Sequence, residues 1–154
     1  MIVRLVKTTA DGEKVEKFVK IKIVKNGNDI SFVALENGKM AANAICEFKP
    51  QNDHMWIDHI TTLPEHKMQG YGAALLKAVE YVTYENMLYE IQGYYGPEEK
   101  DVWRFYEKSG FRIESDNYQD NPLEFIIKEA QDVSEDIQVE DQDDYILTDQ
   151  PQID

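Results

Sequence analysis

The chain has 154 residues, a hydrophobic fraction of 42% and a single cysteine, Cys46. This length is enough for one domain that buries a core without a disulfide or a structural metal. A lone cysteine excludes an internal disulfide and a cysteine-based zinc site, and the apolar runs are too short to span a bilayer. Residues 1–7 alternate like a strand and do not resemble a secretory segment, so we expect a cytoplasmic protein with no membrane partner.

Acidic residues are concentrated near the C-terminal end. Of the 30 acidic residues, ten lie in residues 129–154, a stretch without lysine or arginine. The other 20 face 16 basic residues in 1–128, a balance of −4. Neither part offers the basic surface that nucleic-acid binding requires, so no nucleic-acid partner is expected. We therefore divide the chain into a folded domain, 1–128, and an acidic tail, 129–154.

The first half of the domain reads as a meander of antiparallel strands. Turn signals at 11–12, 26–28 and 37–38 contain glycine beside asparagine or aspartate, as hairpin turns do. Between these signals apolar and polar residues alternate. The pattern predicts strands at Ile2–Lys7, Val15–Val24, Ile30–Leu35, Met40–Phe48 and His54–Thr62.

The second half alternates strands and helices. Apolar residues recur at helical spacing after Pro64, and Pro97 and Gly110 stand where a second helix would begin and end. A β-α-β-α-β order brings strands side by side in parallel and places loop 63–72 between a strand end and a helix start. The predicted elements are a helix at Tyr71–Tyr84, a strand at Met87–Gly93, a helix from Pro97, and strands at Phe111–Glu114 and Leu123–Lys128.

The loop Lys67–Gly72 carries the strongest chemical signal. Gly70 and Gly72 let the backbone turn so that amide groups at the helix start point into one concavity, where an anion would bind. Alone, this spacing also fits a turn that merely begins a helix. It lacks the Gly-Lys-Ser/Thr of a Walker A loop and the third glycine of the Rossmann fingerprint.

Two motifs together resemble the signatures of the GNAT superfamily of N-acetyltransferases. The first is Leu63–Gly72 (LPEHKMQGYG), and the second is Phe105–Phe111 (FYEKSGF). The resemblance implies an α/β (α+β) fold, with a mixed, mostly antiparallel twisted sheet, a central β-α-β-α-β segment and a splayed parallel strand pair. It also implies an N-acetyltransferase that uses acetyl-CoA as cosubstrate and transfers the acetyl group directly to a primary amine.

The resemblance further implies where acetyl-CoA binds. Backbone amides of the loop would hold the pyrophosphate, and the end of the preceding strand would pair with the pantetheine arm. Two residues depart from the family pattern: Lys67 replaces the usual Arg or Gln, and Glu99 stands where many members have Asn. The implied cofactor-binding residues are Ile60, Thr61, Thr62, Lys67, Met68, Gln69, Gly70, Tyr71, Gly72 and Ala73.

Tyr106 is the candidate general acid. Local sequence alone favours a packed core residue, whereas the match to the second motif implies proton donation to the departing thiolate. The family's base would lie on the strand His54–Thr62, and Asp58 matches that position best, with His54 as the alternative. A period of two predicts that His59 faces the other way from a set of residues on one face, namely His54, Trp56, Asp58, Ile60 and Thr62. The plainer reading makes Asp58 and His54 a solvated surface pair.

No metal is expected, since the three histidines and the carboxylates show no ligand spacing. The mildly acidic domain favours a cationic acceptor, whose charge Tyr94 and Tyr95 would hold by their ring faces. GNAT-like domains are often dimers, so a homodimer is one expectation. The alternative function is a catalytically silent module that binds acyl-CoA or a protein. The tail is expected to pack on the basic N-terminal strands or on a neighbouring subunit, or to attract a polycationic acceptor.

Overall fold

The computed structural model describes residues 1–95, 102–116 and 123–147, which form one sheet of nine strands and two α-helices. The helices are α1 (Tyr71–Glu85) and α2 (Val102–Lys108). The strands are β1 (Ile2–Thr8), β2 (Lys14–Asn26), β3 (Asp29–Glu36), β4 (Lys39–Lys49), β5 (His54–Thr62), β6 (Glu90–Tyr95), β7 (Arg112–Asp116), β8 (Leu123–Glu129) and β9 (Ile137–Gln138).

The sheet has the order β7-β8-β6-β5-β4-β3-β2-β1-β9. Strands β1 to β5 form an antiparallel meander, β5 and β6 pair in parallel, and β8 lies antiparallel between β6 and β7. At the β3–β4 turn both central residues, Asn37 and Gly38, have positive φ, as a two-residue hairpin of type I′ requires. The mixed, mostly antiparallel architecture with a central parallel pair is therefore confirmed.

Both helices lie on the same face of the sheet, which we call the inner face. The buried side of α1, including Leu75, Val79 and Val82, packs on fully buried sheet residues such as Phe32 and Ile91. Paired residues on neighbouring strands point to the same face, so the register separates this core from the opposite, outer face. No helix covers the outer face within the described residues. Neither described helix is long and apolar enough to cross a bilayer.

Most predicted elements end within two residues of the observed ones, but the strand predicted at Met87–Gly93 begins only at Glu90. Met87 has φ +60° and is 83% exposed. Its amide bonds to the carbonyl of Tyr84, and that of Leu88 bonds to Thr83, so these residues close helix α1 instead. The predicted helix start at Pro97 lies outside the described residues. Gly110 ends α2 with φ +92°, as predicted.

The described part of the acidic tail docks on the basic N-terminal strands. Strand β9 pairs with β1, and the ring of Tyr145 packs on Tyr81 of α1. The prediction that the tail packs on this basic edge is confirmed for residues up to 147. Its ion pairs with side chains of β1 and β2 include Arg4–Asp136 at 3.0 Å, Lys20–Glu140 at 2.9 Å and Lys25–Asp144 at 3.1 Å.

Candidate active site

The parallel strands β5 and β6 pair over only four residues and then separate. Their pairing runs from His54 opposite Glu90 to Ile57 opposite Gly93. A Cβ atom on Gly93 would lie 3.0 Å from the Ile57 carbonyl oxygen, so the backbones approach closely at this last pair. Beyond it, β5 continues to Thr62 and β6 to Tyr95 without pairing to each other. The parallel strand pair is therefore splayed, and we call the gap between β5 and β6 beyond Ile57 and Gly93 the splay.

A β-bulge at Asp58 changes which residues share a face of β5. Ile57 lies opposite Cys46 and His59 opposite Ile45, so Asp58 has no partner on β4. The Asp58 carboxylate lies beside that of Glu47, a residue paired with Trp56 on the outer face. His54, Trp56, Asp58 and His59 thus lie on the outer face.

Ile60 and Thr62 come after the bulge and point to the inner face with their partners Ala44 and Ala42. The prediction of one face for every second residue of β5 was wrong, as was the prediction that His59 faces away from Asp58. Both errors have the same cause, because one inserted residue shifts the alternation by one.

Asp58 is exposed and directly follows the last residue of β5 that pairs with β6. Its carboxylate and those of Asp29 and Glu47 lie within 4.8 Å of one another. The three residues come from different strands, which explains why sequence spacing did not indicate this cluster. This cluster places negative charge on the outer face at the point where β5 and β6 begin to separate, which we call the mouth of the splay.

Aromatic side chains form a wall on the same outer face. Trp56 and Tyr94 meet edge to face with ring centroids 5.3 Å apart, and Tyr94 lies 5.3 Å from Phe125. The Lys49 ammonium stands 5.7 Å from the Trp56 ring centroid. This wall therefore already accommodates one cation of the chain itself. Tyr95, by contrast, is buried on the inner face, so only Tyr94 of the two predicted acceptor-site tyrosines faces outward.

Tyr106 lies on the inner side of the splay. It is buried, and its ring stacks on Tyr95 with centroids 5.9 Å apart and planes inclined by 16°. Phe111 meets the other ring edge at 5.5 Å. Since Tyr95 is the last residue of β6 beyond the final parallel pair, this packing places Tyr106 next to the gap between the strands.

His54 lies at the opposite end of the paired segment from Asp58. It is buried, and its Nδ1 atom lies 3.2 Å from the carbonyl oxygen of Asn52. Ile57 comes three positions after it, which corresponds to about 10 Å along a strand. The structure thus brings Asp58 and His59 to the splay, and His54 lies farther away.

The loop before α1 has the backbone of an anion cradle. Met68 and Gly70 have φ of +66° and +91°, and Gly70 is the N-cap residue of α1. The amides of the first helical turn, from Tyr71 onward, have no partner within the helix and carry its positive dipole end. Met68 is 95% exposed and adopts a left-handed conformation, which is uncommon for a residue other than glycine.

The two glycines of the loop have different structural roles. Gly70 has the positive φ that the turn needs. A Cβ atom on Gly72 would lie 2.9 Å from Cε1 of Phe105, so Gly72 allows α2 to pack on α1. We predicted that both glycines allow the backbone to turn, and only Gly70 has the positive φ that this role requires.

The predicted pantetheine-binding residues form one edge of β5. Ile60, Thr61 and Thr62 pair with β4 on one side. On the other side, where β6 has turned away, no strand of the described residues pairs with them. An extended ligand segment can bond to such an edge as an added strand would.

Cys46 is not a candidate nucleophile. It is fully buried on the inner face, and burial, assisted by the negative charge of Asp58, raises the pKa of its thiol above the ordinary value. The thiol therefore stays protonated and inaccessible at neutral pH.

Comparison with known proteins identifies the family. The sequence model of the Acetyltransferase (GNAT) family matches residues 6–111, more than half of the chain. The chain belongs to the GNAT acetyltransferase family. It is accordingly an acetyltransferase. A comparison with curated protein sequences found no match.

Solved structures of GNAT acetyltransferases share this fold. The crystal structure of nourseothricin acetyltransferase aligns with 84% of this chain and 85% of its own, at 18% identity and a TM-score of 0.61. A GNAT family acetyltransferase from Elizabethkingia anophelis with acetyl-CoA bound aligns over 72% and 97%, at 16% identity and 0.62. Ribosomal-protein-S18-alanine N-acetyltransferase from Escherichia coli aligns over 75% and 77%, at 23% identity and 0.57.

Proposed function

We propose that this GNAT enzyme transfers the acetyl group of acetyl-CoA to a primary amine of a cationic acceptor by direct attack. The observation that carries the proposal is the splay of β5 and β6, which has Tyr106 on its inner side and Asp58 on its outer side. The two faces of one gap thus offer an acid and a base to opposite sides of a reacting thioester.

The loop and the edge of β5 would hold acetyl-CoA. Amides from Gln69 to Ala73 would bind the pyrophosphate at the N-terminus of α1, and the left-handed Gly70 forms the turn that leads into this helix. The edge formed by Ile60, Thr61 and Thr62 would bond to the pantetheine amides. These residues fit a ligand that combines a pyrophosphate with an extended, amide-bearing arm.

Tyr106 would act as the general acid. As the amine nitrogen forms its bond to the carbonyl carbon, the carbon–sulfur bond breaks and the sulfur needs a proton. A phenol of ordinary pKa about 10 can donate one to a departing thiolate of pKa about 8.5, and burial beside Tyr95 keeps water from this step.

Asp58 would accept the proton that the amine loses, directly or through a water. Its exposed position at the mouth of the splay suits this role, and His59 is a second candidate that the bulge brings to the same face. His54, buried beside Asn52, is the less favoured base.

The side chains of the outer face favour a cationic acceptor. An amine that reaches the splay from this side passes the wall of Trp56, Tyr94 and Phe125 and the carboxylates around Asp58. Aromatic faces and carboxylates together favour a positively charged molecule over a neutral or anionic one. Polyamines, aminoglycosides and protein amino groups carry such charge.

A thiol-release assay with a panel of amines tests the proposal. We expect turnover with polycationic amines, weaker turnover with neutral monoamines, and loss of turnover in Tyr106→Phe with acetyl-CoA binding retained. Acetyl-CoA binding without turnover on any amine would favour the silent module instead. The homodimer stays a prediction, which the mass from light scattering of the same samples checks.

A further inference from the structure

The first residue of α1 is held by side chains from other elements. Tyr71 is buried, and its hydroxyl donates a hydrogen bond to Oε1 of Glu36, the last residue of β3. Burial and this hydrogen bond raise the pKa of Tyr71 to about 12, so the hydroxyl remains a donor at neutral pH. Tyr71 is the residue between the two loop glycines, and Glu36 therefore fixes the start of the helix.

Glu36 also contacts the loop at a second point. Its other oxygen, Oε2, lies 3.5 Å from Nδ1 of His66, at the start of the loop. The His66 ring meets the Tyr71 ring edge to face, with centroids 5.6 Å apart and planes at 84°. One carboxylate thus accepts a hydrogen bond from Tyr71 and lies beside His66, whose Nδ1 atom has no hydrogen-bond partner among the described residues.

Lys17 of β2 holds the middle of the same loop. Its Nζ atom donates a hydrogen bond of 2.6 Å to the carbonyl oxygen of Gln69 and lies 4.3 Å from the Tyr71 ring centroid. In a trans peptide the carbonyl of one residue and the amide of the next point in opposite directions. By binding the Gln69 carbonyl, Lys17 therefore turns the Gly70 N–H away from β2.

We propose that Lys17 and Glu36 are positioning residues that set the acyl-CoA loop in its binding conformation before the cosubstrate arrives. Lys17 fixes the peptide plane of Gly70, and Glu36 fixes Tyr71, the first residue of α1. A loop ordered in advance binds its anion more tightly because less conformational freedom is lost on binding. This inference rests on the proposed binding of acetyl-CoA at this loop and adds residues that lie outside both family motifs.

Calorimetric titration with acetyl-CoA tests the inference on the full chain. Lys17→Met and Glu36→Ala should each weaken binding about tenfold, as loss of a hydrogen bond to a charged group does. Glu36→Gln should retain most of the affinity, because its amide oxygen still accepts the bond from Tyr71. Lys14→Met, on the same strand and exposed, is the matched control and should bind as the wild type does.

Hydrogen exchange of residues 66–73 without ligand separates positioning from general stability. We expect faster exchange in Lys17→Met within this segment and unchanged exchange in the central strands. Acetyl-CoA affinity equal to wild type in both Lys17→Met and Glu36→Gln, with Glu36→Ala also unaffected, would overturn the inference while the site stands. Absence of acetyl-CoA binding in the wild type would instead overturn the proposed binding site, and this inference with it.

If Glu36→Ala does not fold, Lys17→Met decides the question, since Lys17 is half-buried and lies outside the core. A lower melting temperature with unchanged acetyl-CoA affinity would mark both residues as structural only. Weaker affinity at unchanged melting temperature is the result that the positioning role predicts.

Discussion

Tyr106 stacks on Tyr95 at an interplanar angle of 16°, immediately beyond the last residues that join β5 and β6 in parallel. The contact links helix α2, which carries the second sequence motif, to the point where the sheet opens. A tyrosine required only for packing would need no particular relation to this gap. This position beside the gap supports the proposal that Tyr106 donates a proton to the departing thiolate.

Tyr106→Phe should lower kcat roughly a hundredfold, as expected for loss of a general acid. The phenyl ring keeps the packing on Tyr95 and Phe111, so affinity for acetyl-CoA and thermal stability should change little. Steady-state thiol release with the best amine of the panel measures the effect. Tyr84→Phe, an exposed position on α1, is the control, and wild-type kcat in Tyr106→Phe would contradict the assignment.

Asp58→Asn should lower kcat about tenfold to a hundredfold at pH 7. The loss should shrink as the pH approaches the pKa of the amine, about 10, because the acceptor then loses its proton without a base. The pH dependence of kcat for wild type, Asp58→Asn and His59→Gln measures this. A loss in His59→Gln only, or a loss in Asp58→Asn that is the same at every pH, would remove Asp58 from the role of base.

The antiparallel meander and helix α1 could be predicted because their signals are local. Asn37-Gly38 specifies its own hairpin turn, and the apolar spacing of α1 needs no knowledge of its partners. The bulge at Asp58 could not be predicted from the sequence, because it depends on the register in which β5 pairs with β4. Without that register, alternation placed Ile60 on the wrong face.

Contacts between distant residues were also beyond local patterns. Gly72 needs no side chain because Phe105 packs against it, and Glu36 lies 35 residues before its partner Tyr71. The carboxylate cluster around Asp58 draws one residue from each of three strands. The motifs thus predicted where the site lies, while the groups that shape it depend on tertiary packing.

Glu80→Ala should lower the free energy of unfolding by about 3 kcal/mol, since it leaves a buried ammonium without its partner. Glu80 of α1 accepts hydrogen bonds from Lys128 of β8 and from the amide of Gln131, and both charged side chains are largely buried. Urea denaturation at pH 7 measures the change.

The exposed ion pair between Arg112 and Glu114 supplies the matched comparison for Glu80. Glu114→Ala should change the free energy of unfolding by less than about 0.5 kcal/mol, because exposed pairs contribute little. Equal losses for the two alanine variants would show that burial of the Glu80–Lys128 pair does not determine its contribution.

Asp136→Asn should reduce stability by about 1–2 kcal/mol at pH 7, through the lost charged hydrogen bonds to Arg4 and Lys77. Partial burial opposes ionisation of Asp136, but those hydrogen bonds outweigh it and lower its pKa. A folded pKa below the unfolded one gives stability that is present above about pH 4 and lost as the pH falls through the folded pKa.

The difference in the free energy of unfolding between wild type and Asp136→Asn should therefore shrink at pH 3, where the carboxylate of the wild type becomes protonated and loses its charge. Urea unfolding at pH 7 and pH 3 measures it, with Asp141→Asn, an exposed tail position, as the control. An equal difference at both pH values would mean that the charge of Asp136 does not attach the tail.

The most direct test of the account is calorimetric binding of acetyl-CoA to wild type, Gly70→Asn and Gly70→Asp. A Cβ atom at position 70 would lie 3.1 Å from Cδ1 of Leu5, so both variants strain the loop. Asparagine and aspartate have nearly the same size and tolerate the left-handed backbone of Gly70 to a similar degree, so the two variants differ mainly in charge. We predict micromolar binding to wild type, weaker binding to Gly70→Asn, and no measurable binding to Gly70→Asp, whose carboxylate would repel the pyrophosphate. Measurable and equal affinity in Gly70→Asn and Gly70→Asp would contradict a pyrophosphate site at this loop.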